Sequence, residues 1–282
     1  MAFIRLGRVD YLNCLPVYYP LERGWVPIDA TLTGGVPTGL NRLFLEGKLE
    51  ITPISSIEYA RHPDRCVILP DISIASDGRV GSIFLFSRGP VTELDGRHVA
   101  LPDTSATSVV LLKVLFHHYY HVEATYETMP DDLDRMLAVS DAALLIGDNA
   151  MRARLRVEEA GSPLVVTDLG QAWKDFTGDP MVFALWVIRR DFAYRDPEST
   201  RAAAGALLTA KRVGAAQTPT LVDVAHRRTG LPRPVLEDYF RIIRHELDAD
   251  YRRGLLTYYD YAYKSGLIEE RVRLDIWGDG LG

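Results

Sequence analysis

The stretch Arg8–Pro16, RVDYLNCLP, decides how the rest of the chain reads. It closes a run of Phe3, Ile4, Leu6 and Val9 that has the apolar content of a β-strand. It ends in a polar turn carrying one amide, Asn13, ahead of Cys14, Leu15 and Pro16. A strand that ends in a lone amide and then a proline-stopped turn presents that amide at the sheet's carboxyl edge, where open α/β sheets bind ligands. Asparagine is also a common turn residue because it closes Asx-turns. The stretch therefore admits two roles for Asn13, turn cap or ligand contact.

Outward from this strand, β and α patterns alternate, which predicts parallel sheets covered by helices. Strands are expected near Ile28–Thr33 and Leu49–Ile54, with a helix between them at Pro37–Glu46 closed by Gly47, and a short helix follows from Ser55 and Ser56 to Arg61. Val67–Leu69 and Ile72–Ala75 read as two short strands. The apolar strand SIFLFSR (Ser82–Arg88) reads as a first crossing between domains, and PMVFALWVIRR (Pro180–Arg190) as the return. Between them lies a doubly wound unit, with strands at His98–Leu101, Val122–Tyr126, Ala142–Ile146 and Leu164–Asp168. Its helices are expected near Ser105–Tyr119, Pro130–Val139 and Asn149–Glu159. From Pro197 to Glu270 the pattern is helical. Two crossings predict a discontinuous α/β lobe, residues 1–87 plus 190–282 with a helical C-terminus, and an inserted α/β lobe, 88–189.

Composition sets the bounds. The 282 residues suit two domains, and 47% hydrophobic with 25% charged residues is ordinary for a water-soluble globular chain. A net charge of -6 with no Lys/Arg-rich run argues against nucleic acid as a partner. An anionic ligand must then be held by local donors such as helix N-termini. No apolar run approaches the roughly 20 residues of a membrane span. VVLLKVLF (Val109–Phe116), among the longest, contains Lys113. No export signal is recognised at the start, and the two cysteines, Cys14 and Cys66, lack C-x-x-C spacing. The chain reads as cytoplasmic, without a metal or other cofactor, and nothing in the sequence specifies an oligomeric state.

Several polar constellations are candidate binding elements. DTSATS (Asp103–Ser108) follows a strand and opens a helix. Its Thr104, Ser105 and Thr107 hydroxyls, with the free N–H groups around Ala106, suit a carboxylate or phosphate, and the same residue types serve as N-caps. PISSIEY (Pro53–Tyr59) repeats the device with Ser55 and Ser56. Together the two describe a cleft in which each lobe offers one anion-binding helix end, suited to a small dicarboxylate. In GDNA (Gly147–Ala150), Asp148 either caps the next helix or accepts from a ligand hydroxyl. Ser82 begins the crossing strand close to the cleft. Trp173, Phe176, Phe183 and Trp186 read as core. His117, His118 and His121 include an i, i+4 pair but no H-E-x-x-H, and they read as a solvated helix end. GGVPTG (Gly34–Gly39) lacks dinucleotide-binding spacing, and no phosphate-loop motif is present.

In combination, RVDYLNCLP, GGVP, PISSIEYA, GSIFLFS, LPDTSATSVVLLK, LLIGDNA, TGDPMVFALW and the Tyr-rich TYYDYAYKSGLI resemble, in order, the chorismate dehydratase family of the futalosine route to menaquinone. The resemblance covers essentially the whole chain. It implies a two-lobed fold like that of type II periplasmic binding proteins, with a central ligand cleft. It also implies a hydro-lyase that removes water from chorismate to give 3-[(1-carboxyvinyl)oxy]benzoate, aromatisation supplying the driving force. The sibling 1,4-dihydroxy-6-naphthoate synthase shares the fold, but its first strand ends in a Pro-Asn-Asp type turn after Ser-Pro-Cys, where this chain has YLNCLP.

On that resemblance the expected catalytic residues are Asn13 and Ser82. The expected substrate contacts are Ser55, Ser56, Thr104, Ser105, Ala106, Thr107, Gly147 and Asp148. Asparagine has no usable basicity, so Asn13 is expected to position the ring or the leaving hydroxyl. The proton then goes to a substrate carboxylate or, as the alternative, to Asp148. A non-catalytic cytoplasmic binding protein for small carboxylates is the rival from another class.

Overall fold

The computed structural model describes residues 3–278. Eleven strands form two sheets. They are β1 (Ile4–Val9), β2 (Ala30–Gly35), β3 (Ile51–Ser55), β4 (Cys66–Ser76), β5 (Ile83–Ser87), β6 (His98–Pro102), β7 (Thr125–Met129), β8 (Ala142–Ile146), β9 (Val165–Asp168), β10 (Met181–Arg189) and β11 (Ile243–Arg244). The first sheet runs β11-β4-β10-β3-β1-β2 and the second β7-β6-β8-β5-β9. Twelve α-helices cover them: α1 (Leu15–Glu22), α2 (Pro37–Leu45), α3 (Ser56–Arg61), α4 (Ala106–Leu115), α5 (Leu133–Val139), α6 (Gly147–Glu159), α7 (Leu169–Thr177), α8 (Arg190–Arg195), α9 (Pro197–Ala215), α10 (Thr218–Thr229), α11 (Arg233–Ile242) and α12 (Ala249–Lys264).

The sequence predicts wholly parallel sheets, and here the structure differs. The strands β1, β2 and β3 pair in parallel, as do β6, β7 and β8. Each sheet, however, also contains one crossing strand set antiparallel to its neighbours: β10 against β3 and β4, and β5 against β8 and β9. The physical reason lies in where the chain crosses. Strands of the βαβ units run toward the cleft, so a chain arriving from the other lobe starts its strand at the cleft and runs away from it. The register records this, since Ile83 opens β5 opposite Ile146, the last residue of β8, and Ala184 lies opposite Ser55, the last residue of β3. Residues 83–87 belong to the second sheet and 181–189 to the first, the reverse of the sequence assignment.

Local differences follow the same logic. Cys66–Ser76 is one continuous strand, bent where Asp71 takes a φ of 52° and the register against β10 shifts. The turn after β1 does not stop at Pro16. Leu12–Cys14 form a single 3-10 turn, and Pro16 sits in the first turn of α1, where its missing N–H costs nothing. The helix expected up to Tyr119 is α-helical only to Leu115 and widens to a π-turn over Phe116–Tyr120. There His118 Nε2 meets Ser265 Oγ at 2.9 Å. Among the described residues no helix is long and apolar enough to cross a membrane.

Trp173 and Trp186 are fully buried, as the sequence predicts. Trp186 donates its indole N–H to Tyr18, whose hydroxyl donates in turn to the Gly7 carbonyl at 2.6 Å. This ties the return strand to the strand that leads to Asn13.

Candidate active site

A cavity lies where the carboxyl ends of both sheets meet. Val9 and Asn13 reach it from the end of β1, Ser55 from the end of β3, and Ile146 and Gly147 from the end of β8. Ser82 and Ile83 come from the start of β5, Phe183 and Ala184 from the start of β10, and Ser105 and Ser108 from the head of α4. Its wall is largely apolar, and the described residues lining it include no lysine, arginine or histidine. An anion entering it would meet neutral hydroxyls, amides and helix ends instead of cationic side chains.

Asn13 is the centre of this geometry. Its side chain caps neither the 3-10 turn nor α1. Its Oδ1 is buried and has no hydrogen-bond partner among the described residues, an unusual state for a polar atom. The backbone around it is held on every side. Cys14 N–H donates to Tyr11 O at 3.1 Å, Leu12 N–H to the Asp148 carboxylate at 3.3 Å, and His245 Nε2 to Asn13 O at 2.7 Å. Burial pushes the His245 imidazole pKa down, which keeps the ring neutral. The turn is thus fixed around an unsatisfied amide that lines the cavity.

Ser82 is equally placed. It is 2% exposed, and its carbonyl accepts from Gly147 N–H at 2.7 Å. Gly147 has a φ of 63°, and a Cβ there would press on the Tyr11 ring at 3.3 Å, so the strand-to-helix corner needs glycine. Ser105 acts as the N-cap of α4, accepting from Ser108 N–H, and also donates to Ser108 Oγ at 2.9 Å. Capping and cavity lining are thus combined in one residue.

Other expected contacts lie elsewhere. Ser56 and Thr107 are 0% and 1% exposed and line no part of the cavity. Their hydroxyls lie 3.3 Å apart, Ser56 Oγ donates to Val182 O at 2.8 Å, and Ile57 N–H donates to Thr107 Oγ1. Tyr258 and Tyr259 of α12 donate to the carbonyls of Thr107 and Ser56. The first turns of α3 and α4 therefore meet each other at Ser56, Ile57 and Thr107, while their cap residues Ser55 and Ser105 line the cavity. Ser56→Ala is expected to cost about 1–2 kcal/mol of stability and to leave KM unchanged, as thermal unfolding and steady-state kinetics measure. A KM raised tenfold without loss of stability would return Ser56 to the ligand contacts.

Ala106 lies in the first turn of α4, outside the lining. Thr104 Oγ1 is buried with no partner of full hydrogen-bond geometry, facing the Tyr11 phenol. Asp148 is not a cap, since α6 has no side-chain cap, and its carboxylate turns to Leu12 N–H, outside the lining. Burial raises its pKa, tempered by that N–H and by Arg152 and Arg228. Nearby, burial and the negative charges of Asp103 and Asp132 push Asp131 up to about 6 against a hydrogen bond from Asn149. Burial first, then Asp131, Asp148 and Asp103, take the Tyr11 phenol to about 12. The Cys14 thiol, which also lines the cavity, is pushed well above its ordinary value by burial, which disfavours the thiolate.

The sequence reading does not single out Tyr11, Ser108, Tyr239 or His245. Tyr11 and Ser108 stand inside quoted motifs and are recoverable from them, whereas Tyr239 and His245 carry no local signal.

Two α/β lobes, joined by two crossing strands around a central cleft, define the class of binding-protein-like folds named type II periplasmic. The alkanesulfonate-binding protein SsuA from Xanthomonas axonopodis pv. citri, solved bound to MOPS, superposes with a TM-score of 0.72 over 98% of each chain, at 14% identity. That likeness is one of fold. A family profile described as "Menaquinone biosynthesis" matches residues 4–264, and the chain belongs to that family. It is 34% identical over 265 residues to a chorismate dehydratase of Thermus thermophilus, covering 90% of this chain and 93% of that protein. A 1,4-dihydroxy-6-naphthoate synthase of the same organism is 33% identical over 196 residues, 68% of each chain.

Proposed function

We propose that this chain is a chorismate dehydratase, a hydro-lyase of menaquinone biosynthesis that converts chorismate into 3-[(1-carboxyvinyl)oxy]benzoate and water. The observation that carries the reading is the buried, unpartnered Oδ1 of Asn13 beside Ser82 in a cavity lined by no cationic side chain. The reaction removes a proton from the ring carbon bearing the ether and hydroxide from its neighbour. The C–H electron pair becomes the new ring double bond, and aromatisation drives the step without change of oxidation state. Nothing redox-active is called for.

Asn13 has no usable basicity, so its role is to bind the ring substituents in the reactive geometry. The proton passes to the substrate's own enolpyruvyl carboxylate, and the Asp148 carboxylate serves the turn through Leu12. Catalysis is then positioning and preorganised hydrogen bonding in a dry site. Ser55 and Ser105, with helix-head N–H groups, contact the carboxylates, while Gly147, its own N–H held by the Ser82 carbonyl, contributes close backbone approach. We assign the lobes with edges at Ser82 and Met181, and place the enzyme in the cytoplasm, where its two free, buried cysteines stay reduced.

The test is incubation of the metal-free protein with chorismate, followed by chromatography. A benzoate lighter by one water supports the reading. Unchanged chorismate that nevertheless binds points to a small-carboxylate sensor. Absence of binding points to the substrate of the synthase that the chain also resembles.

A further inference from the structure

Ser82 is held three ways, and each hold has a separate effect. Val80 and Gly81 N–H groups donate to the Asp168 carboxylate, Gly81 at 2.8 Å, which anchors the chain just before Ser82. Gly147 N–H on the Ser82 carbonyl anchors the residue itself. These two fix the place of its Oγ. The third hold acts on the hydroxyl: Tyr239 of α11 donates its O–H to Ser82 Oγ at 3.2 Å, both groups being 2% exposed.

A serine hydroxyl has one hydrogen to give and two lone pairs. With one lone pair taken by Tyr239, the Ser82 hydrogen points away from the phenol, and among the described residues no protein acceptor meets it. Ser82 lines the cavity, whereas Tyr239 does not. Burial pushes the Tyr239 phenol far above its ordinary value, so it remains a donor throughout the working pH range. Donation into an oxygen also makes that oxygen's own hydrogen a better donor. The Tyr239 ring is embedded in an apolar cluster with Leu12 and Leu15, the residues that flank the Asn13 turn. It therefore cannot swing aside.

We propose that Tyr239 is a positioning residue that turns the Ser82 hydroxyl hydrogen into the cavity, making Ser82 the hydrogen-bond donor to the ring hydroxyl that departs. This rests on the dehydratase reading. Ser82 keeps its proton throughout. The departing hydroxide accepts its hydrogen bond, while the ring proton travels to the substrate carboxylate.

The experiment compares kcat, KM and thermal midpoint for the full chain, Tyr239→Phe, Ser82→Ala and the double variant, with chorismate as substrate. Tyr239→Phe is expected to lower kcat about tenfold, the loss of one hydrogen bond's net effect, with KM within about twofold and the midpoint within a few degrees. In the Ser82→Ala background the same change is expected to alter kcat by less than about twofold, because the group it acts through is gone. Tyr239→Leu, which also lacks the hydroxyl, is the second variant should Tyr239→Phe not fold. An unimpaired Tyr239→Phe beside an active parent overturns this inference alone, as does an equal loss in both backgrounds. A parent chain that leaves chorismate intact overturns the dehydratase reading and this inference with it.

Discussion

Replacing Asn13 by alanine is expected to lower kcat for chorismate dehydration by roughly 100- to 1,000-fold, the order lost when a preorganised hydrogen-bonding side chain at the reacting centre is removed. The thermal midpoint should hold or rise slightly. Both expectations come from the same observation. The amide makes no local hydrogen bond, so the turn loses nothing when it is truncated. The bond from His245 goes to the backbone carbonyl of residue 13, which alanine retains. A buried acceptor without a partner costs stability in the free protein, and its retention marks a site where function opposes stability. Asn13→Asp should fare no better, since it brings a carboxylate into a cavity lined by no cation, against a substrate with two negative charges. Steady-state kinetics and thermal unfolding of both variants test the point. Full turnover by Asn13→Ala would remove the amide from the mechanism.

The cavity positions of Asn13 and Ser82 were legible because both residues follow or precede apolar strands, and strand ends in α/β proteins lead to the cleft. The fold class was legible from alternation and two crossing strands. The direction of those crossings was not read, although it follows from their starting at the cleft. Ser56 and Thr107 show why hydroxyl-rich helix starts mislead: the pattern is the same whether the helix head faces a ligand or another helix head. Asp148 shows the limit of local capping rules, because its partner Leu12 lies 136 residues away. The supports of the site are more remote still. Tyr239 stands 157 residues from Ser82, and His245 stands 232 from Asn13. Both arise from the C-terminal helical segment folding back over the cleft, a tertiary event that hydrophobic periodicity does not encode.

The largest effect on stability is expected from Gly214→Ala. Gly214 lies in α9 where that helix crosses α1, and an added Cβ would sit 1.8 Å from the Pro16 carbonyl oxygen and 2.6 Å from its carbon. Those are backbone atoms, and no side-chain rotation relieves the clash, so the helices must separate. Overpacking of a rigid contact costs typically 1–3 kcal/mol and at times more. Here about 3 kcal/mol or more is expected, a fall in thermal midpoint of roughly 6–12 °C for a chain of this size. The same helix supplies the control. Gly205 also lies in α9, but no atom comes within 4 Å of its added Cβ. Gly205→Ala should therefore be neutral or stabilising by up to about 1 kcal/mol through helix propensity alone. Because Pro16 stands three residues after Asn13, a displaced α1 also shifts the turn that holds the amide. Gly214→Ala should then lose kcat at temperatures where it is still folded, and Gly205→Ala should not. Equal midpoints for the two variants would show that α1 and α9 do not approach this closely, and the rigid seat assigned to Asn13 would lose its outer support.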